Sequence, residues 1–174
     1  MKLTVNGVER VVESPPLTSL LAVLREELGI TSPKAGCQQG GCGTCTVLID
    51  GEARRACLVP VVALDGAEIL TVEGLGTPER LSPVQAAFDA HYAAQCGYCT
   101  SGMLMAAEGL LRTNASPSRS DIEEALSGHV CRCTGYVKII EAVEGVGAGE
   151  SLDLDRNLPR NQQEPDVEIR GAPA

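Results

Sequence analysis

The sequence predicts an α+β protein: a small strand-rich unit with one early helix, followed by a unit built of helices alone. Three observations carry this. Two tight-turn dipeptides, Asn6-Gly7 and Asp50-Gly51, each lie between short runs of strand-forming residues, which is the local signature of a β-hairpin. Leu17, Leu20, Leu21, Leu24 and Leu28 recur at helical spacing between those hairpins. Beyond Thr77 the strand pattern stops and helix-start signals take over.

The elements follow in order. Residues 2–5 and 8–12 form the first hairpin. The leucine-lined helix ends at Gly29, where a C-terminal cap belongs. A loop with Gly36, Gly40, Gly41 and Gly43 leads to a second hairpin, Thr46–Ile49 with Glu52–Arg55, and residues 67–72 make one more strand. Residues 1–76 are thus expected to be one small α+β domain. Ser82-Pro83-Val84-Gln85 combines an N-cap, a proline at the first helical position and a capping-box glutamine. Helices are expected over 84–93, 101–112, 121–127 and 136–145, with Ser120 and Glu123 as a second capping box. They suit a compact helical bundle over residues 77–145. Residues 146–174 are rich in Gly, Pro and polar residues and read as an extended or disordered tail. Gly145-Val146-Gly147-Ala148-Gly149 lacks the spacing and context of a nucleotide-binding loop and reads as a helix stop.

Composition narrows the function. The chain has 174 residues, 44% of them hydrophobic but only 2% aromatic, so its core is aliphatic. A net charge of −9 argues against nucleic acid or an anionic membrane as the main partner. The start, Met1 to Val8, alternates like a strand rather than an export signal, and no apolar run is long enough to span a bilayer. A reducing cytoplasm is the expected location. Eight cysteines in such a compartment point to metal or catalysis rather than disulfides.

Cys37, Cys42 and Cys45 form C-x4-C-x2-C on the glycine-rich loop, and Cys57 follows. This is the spacing of a plant-type [2Fe–2S] site. Thiolates suit iron–sulfur clusters, and a short loop that wraps a cluster needs glycine for close backbone approach. Buried free thiols would not explain the spacing, and zinc sites more often show paired C-x2–4-C elements. Cys96-Gly97-Tyr98-Cys99 and Cys131-Arg132-Cys133 make a second constellation at predicted helix ends. Its spacing alone leaves zinc, a redox dithiol and iron–sulfur open. The neighbouring plant-type motif favours iron–sulfur, because two clusters in one chain make an electron wire.

Three motifs stand in a fixed order: Gly36-Cys37 through Gly41-Cys42-Gly43-Thr44-Cys45-Thr46-Val47, then Gln95-Cys96-Gly97-Tyr98-Cys99-Thr100-Ser101-Gly102-Met103, then Cys131-Arg132-Cys133-Thr134-Gly135-Tyr136. Over about residues 1–145 the chain resembles the small iron–sulfur subunit of the xanthine oxidase family of molybdenum hydroxylases. The resemblance implies an N-terminal β-grasp, plant-type ferredoxin-like domain and then a four-helix domain. It implies that Cys37, Cys42, Cys45 and Cys57 bind an outer cluster facing flavin. Cys96, Cys99, Cys131 and Cys133 would bind an inner cluster facing the molybdenum cofactor, with Gln95 and Cys133 near its pterin. It further implies a large molybdopterin-binding subunit, a medium FAD-binding subunit and no substrate residue in this chain. The family often has Asn ahead of the C-x-C segment, where this chain has Gly128-His129; His129 reads as a local hydrogen-bonding substitute.

Two other function classes stand beside this one. A free-standing two-cluster ferredoxin would be stable without partners. A zinc-stabilised interaction module would be colourless.

Overall fold

The computed structural model describes residues 1–149. Two strands, β1 (Lys2–Val5) and β2 (Val8–Val11), pair antiparallel across Asn6-Gly7. Asn6 and Gly7 both have positive φ, 52° and 76°, as a type I′ turn demands. Helix α1 (Leu20–Ala22) passes into a wider π-turn, Val23–Glu27. Strands β3 (Thr46–Ile49) and β4 (Glu52–Arg55) pair across Asp50-Gly51, again with positive φ at both turn residues. Strand β5 (Glu68–Leu70) inserts between the hairpins, parallel to β1 and antiparallel to β3. The sheet order is β2-β1-β5-β3-β4.

The edge strands β2 and β4 are largely exposed and carry Glu9, Arg10, Glu52 and Arg54, charges that discourage pairing with another sheet. Strand β1 alternates as the sequence predicts, burying Leu3 and Val5. With Leu20, Leu21, Leu24, Val47 and Ile69 they form one aliphatic core. The expected leucine helix is shorter than its periodicity implied. Leu17 is 84% exposed and lies outside it, because Ser19 caps the helix through its hydroxyl and starts it at Leu20. At the other end the Leu28 N–H reaches back to the Val23 carbonyl rather than to residue 24, which widens the final turn.

Four further helices are α2 (Pro83–Ala90), α3 (Thr100–Thr113), α4 (Arg119–Leu126) and α5 (Val137–Gly147). They share a second core of Val84, Phe88, Met103, Ile122, Ile139 and Val143 among others. Ser82 and Gln85 cap α2 reciprocally, as predicted. The second capping box is Ser118 with Asp121, not Ser120 with Glu123. Both pairs have box spacing; Ser118 wins because Pro117 precedes it and the chain there is still extended. Helix α5 runs through Gly147, so Gly145 does not stop it. Val146 and Gly147, expected to open the tail, belong to α5, and the rest of that expectation, over residues 150–174, lies outside the described residues.

Strand β3 is buried along its whole length. Val47 and Ile49 face the first core. Its other face meets α3, where a side chain on Gly109 would come 3.1 Å from Leu48 Cδ2. Gly102, one turn into α3, packs on the Gly43 and Thr44 backbone. Gly43 has φ of +76°, and a side chain there would overlap the His129 ring. Glycine is required at Gly102 because backbone fills the space, and at Gly43 because of its positive φ and the buried His129 ring.

Candidate metal centre

All eight cysteines are free thiols. Cys37, Cys42 and Cys45 sit on the loop entering β3; Cys57 lies on a 3-10 turn, Ala56–Leu58, directly after β4. Antiparallel pairing of β3 with β4 brings Cys57 back beside Cys45, through the Ala56 N–H to Cys45 carbonyl bond of 3.3 Å. Within this group the Cys37 thiol interacts with that of Cys42, and the Cys45 thiol with those of Cys57 and Cys42. Cys96 and Cys99 lie between α2 and α3; Cys131 and Cys133 lie between α4 and α5. Packing of the four helices pairs the Cys99 thiol with Cys131 and the Cys96 thiol with Cys133.

Backbone N–H groups aim at the sulfurs. The Gln39 N–H lies 3.4 Å from Cys37 Sγ. It is the main reason that the Cys37 thiol is pulled down to about 6, with further help from the Cys42 thiol and the N–H groups of Cys42 and Gly41. Burial opposes ionisation of Cys131, but the Thr134 hydroxyl, 3.1 Å from its sulfur, and the N–H groups of Thr134 and Cys133 bring it to about 7. Burial, then the neighbouring Cys57, pushes Cys45 up to about 11. Burial, then Cys131, pushes Cys99 up to about 12. Each group therefore contains a thiol that resists deprotonation beside one that favours it. Thiolates held side by side repel, and a bound cation relieves that repulsion. Thiolates with convergent N–H donors are the donor set that iron–sulfur clusters use. The loop closes tightly at Gly36, where a side chain would come 2.8 Å from both Cys42 Sγ and Thr44 Oγ1. The residues fit such a group.

The two cysteine groups meet across a polar seam. The Val130 N–H donates to the Cys42 carbonyl at 2.9 Å, tying the C-x-C segment to the first loop. His129 is 4% exposed and its Nε2 lies 2.9 Å from Thr46 Oγ1. Arg55 donates to Thr46 Oγ1 at 2.8 Å and to the Gly128 carbonyl at 2.8 Å. Burial and then the Arg55 charge lower the His129 imidazole to about 4, so it is neutral at pH 7. The Tyr136 hydroxyl accepts from the Cys131 N–H at 2.9 Å and donates to the His129 carbonyl at 3.0 Å. Tyr136 itself is left-handed, φ 68°. Gln95 and Cys133 are exposed, and Gln95 adjoins Cys96, the contact partner of Cys133.

His129 forms hydrogen bonds, but its side chain bonds Thr46, 83 residues away, rather than a local partner. Arg55 was read only as strand, and Thr44, Thr46, Thr134 and Tyr136 as motif residues without a role. A threonine beside a cysteine is the one local signal. Nothing in the sequence marks Arg55, whose partners are 9, 73 and 74 residues away.

The chain is similar to known proteins along most of its length. Residues 3–69 match the model of the 2Fe-2S iron-sulfur cluster binding domain family, and residues 71–144 that of the [2Fe-2S] binding domain family. The nicotine 6-hydroxylase small subunit of Paenarthrobacter nicotinovorans is 49% identical over 139 residues, covering 80% of this chain and 84% of that subunit. The chain belongs to the small iron–sulfur subunits of the molybdenum hydroxylases. Like its family, it carries two [2Fe–2S]-binding domains. An aldehyde oxidoreductase of Megalodesulfovibrio gigas is 46% identical over 165 residues, which are 90% of this subunit but 18% of that protein. Some relatives are thus far longer. Quinoline 2-oxidoreductase from Pseudomonas putida 86 contains a chain of similar structure, with TM-score 0.80 and 45% identity over 87% of this subunit and 97% of that chain. Among the described residues no helix is long and apolar enough to cross a membrane.

Proposed function

We propose that this subunit conducts electrons from a molybdenum cofactor on a large subunit to FAD on a medium subunit. Cys96, Cys99, Cys131 and Cys133 hold the inner [2Fe–2S] cluster, and Cys37, Cys42, Cys45 and Cys57 the outer one. Residues 1–76 are then a β-grasp ferredoxin-like domain, and residues 77–145 a four-helix domain.

The hydrogen bond from Val130 N–H to the Cys42 carbonyl carries this reading. Val130 precedes Cys131, a ligand of the inner group, and Cys42 is a ligand of the outer group. The route from one ligand set to the other therefore runs through a few covalent bonds and a single hydrogen bond. The clusters, when bound, supply one-electron chemistry. The chain supplies their spacing, the N–H donors that set their potentials and the burial that excludes water. Each end of the wire reaches the surface. Exposed Tyr98, Val130 and Val137 flank the inner group, and exposed Leu58 adjoins Cys57. Apolar groups in those places suit burial against partner subunits. They also weigh against a free-standing ferredoxin, which gains nothing by exposing them. Gln95 and Cys133, at the exposed edge of the inner group, approach the pterin in this reading.

Iron, acid-labile sulfide and zinc content, with EPR after dithionite reduction, tests it. Iron and sulfide in equal amounts sufficient for both clusters, with two distinct signals, are expected. Zinc, or iron for one cluster alone, would overturn the assignment of the second group.

A further inference from the structure

Lys2, Arg54, Arg112, Arg119 and Lys138 each pair with a glutamate, and Arg25 and Lys34 donate to carbonyls of the adjoining loop. Arg55 differs from both kinds, because its guanidinium reaches a carbonyl 73 residues away and one of its nitrogens is buried there. Among the described residues no carboxylate pairs with Arg55. Its guanidinium instead donates to the Thr46 hydroxyl and the Gly128 carbonyl, and its Nε is buried with no partner. The third neighbour, His129 Nε2 at 3.3 Å, belongs to a neutral ring. A guanidinium keeps its charge throughout the working range, and a half-buried charge without a counter-charge is costly. The position is also particular. Thr46 follows Cys45, Arg55 itself stands two residues before Cys57, and Gly128 stands three before Cys131. The cation lies on the seam between the two cysteine groups.

We propose that Arg55 is the built-in counter-cation of the two clusters and raises the reduction potential of each. The inference rests on the ligand sets assigned above. A [2Fe–2S] cluster with thiolate ligands is a dianion when oxidised. One electron converts one iron(III) to iron(II) and makes a trianion. A nearby positive charge favours the more negative form, and net charge around a cluster is among the determinants of its potential. Arg55 thus acts through its field and touches neither reacting iron: it is a positioning charge, and it holds the reduced state of both clusters within reach of the same electron donor.

The test uses the full chain, isolated with its iron, as wild type and as Arg55→Gln, Arg55→Lys and Thr46→Val. Both clusters are titrated by EPR at poised potentials. Arg55→Gln is expected to lower the reduced-to-oxidised ratio of each cluster about tenfold at a fixed potential, equivalent to 59 mV for a one-electron couple. Arg55→Lys keeps the charge but not the fork, and its potentials are expected to stay near wild type. Thr46→Val removes a bond without removing the charge and is expected to leave them unchanged. Unchanged potentials in Arg55→Gln, with both signals present, would overturn the proposal and leave Arg55 as a stitch between β4 and the end of α4. If Arg55→Gln does not fold, a fall in Arg55→Lys as large as that predicted for Gln overturns it equally, because geometry rather than charge would then be responsible. Failure of the ligand assignment is distinguishable, since it would appear in wild type as a missing signal or missing iron.

Discussion

His129 Nε2 lies 2.9 Å from Thr46 Oγ1, and through this buried contact the segment before the C-x-C motif grips the first residue of β3. Thr46 also donates to the Gly43 carbonyl at 2.7 Å and accepts from Arg55. One hydroxyl therefore serves three elements. Thr46→Val keeps the shape and strips these bonds. A destabilisation of about 1–3 kcal/mol is expected, the usual cost of leaving buried partners unsatisfied. Urea unfolding of the iron-loaded chain measures it; a midpoint equal to wild type would mean that the seam contributes nothing to stability.

Gly102→Ala should be harmful although alanine is the better helix former. The helix gains about 1 kcal/mol in propensity, but the new methyl would overlap the Gly43 carbonyl and come 3.0 Å from Thr44 Cα. Backbone cannot step aside as a flexible side chain can, so α3 must move off the first cysteine loop. Overpacking of this kind costs about 1–3 kcal/mol. Lower thermal stability together with reduced iron content is the expected result.

Tyr136→Phe leaves the Cys131 N–H and the His129 carbonyl without the phenol that joins them. The first loop has no contact with this hydroxyl in its hydrogen-bond network. Selective weakening or loss of the inner-cluster EPR signal, with the outer one retained, is expected. Equal loss of both would show that the two sites do not hold iron independently.

Cys57→Ala and Cys96→Ala separate the proposed ligand sets. The first should remove one EPR signal and spare the other. The second should block electron transfer out of the molybdenum site in the assembled enzyme, and normal turnover with an acceptor at the flavin would disprove that assignment.

Glu73 gives a pH signature away from the cysteines. It accepts from the Ser32 N–H at 2.9 Å, from the Ser32 hydroxyl and from the Thr71 hydroxyl at 2.7 Å, joining the loop before Cys37 to the end of β5. Burial raises its carboxyl, and those hydrogen bonds outweigh it, so the folded-state value lies below 4.5. A depressed carboxylate stabilises the fold fully above its unfolded value and loses that contribution as pH falls below about 4.5 toward the folded value. Glu73→Gln should flatten this part of the pH–stability curve. The residue still meets solvent, which keeps the effect modest.

Both hairpins, the cap on α2 and four later helices were legible because each rests on neighbours in sequence. Turn chemistry at Asn6-Gly7 and Asp50-Gly51 needs two adjacent residues with positive φ, and a capping box needs residues three apart. Where two local solutions competed, the sequence misled. Ser118 and Ser120 both have an acidic residue at box spacing, and Leu17 continues a periodicity that the Ser19 cap cuts off. The small π-turn at Val23–Glu27 and the extension of α5 to Gly147 come from how those ends pack.

The cysteine spacings and three ordered motifs determined by themselves the family and its chemistry, because thiolate ligation is written in residue type and separation. The seam between the halves was decided only by tertiary structure. Arg55, Thr46, Gly128 and His129 are far apart in sequence, and no local rule scores an arginine in an edge strand against a histidine 74 positions later. Hydrogen bonds and charge act through space over a few ångströms. Only the folding of α3 onto β3 brings those groups within that range.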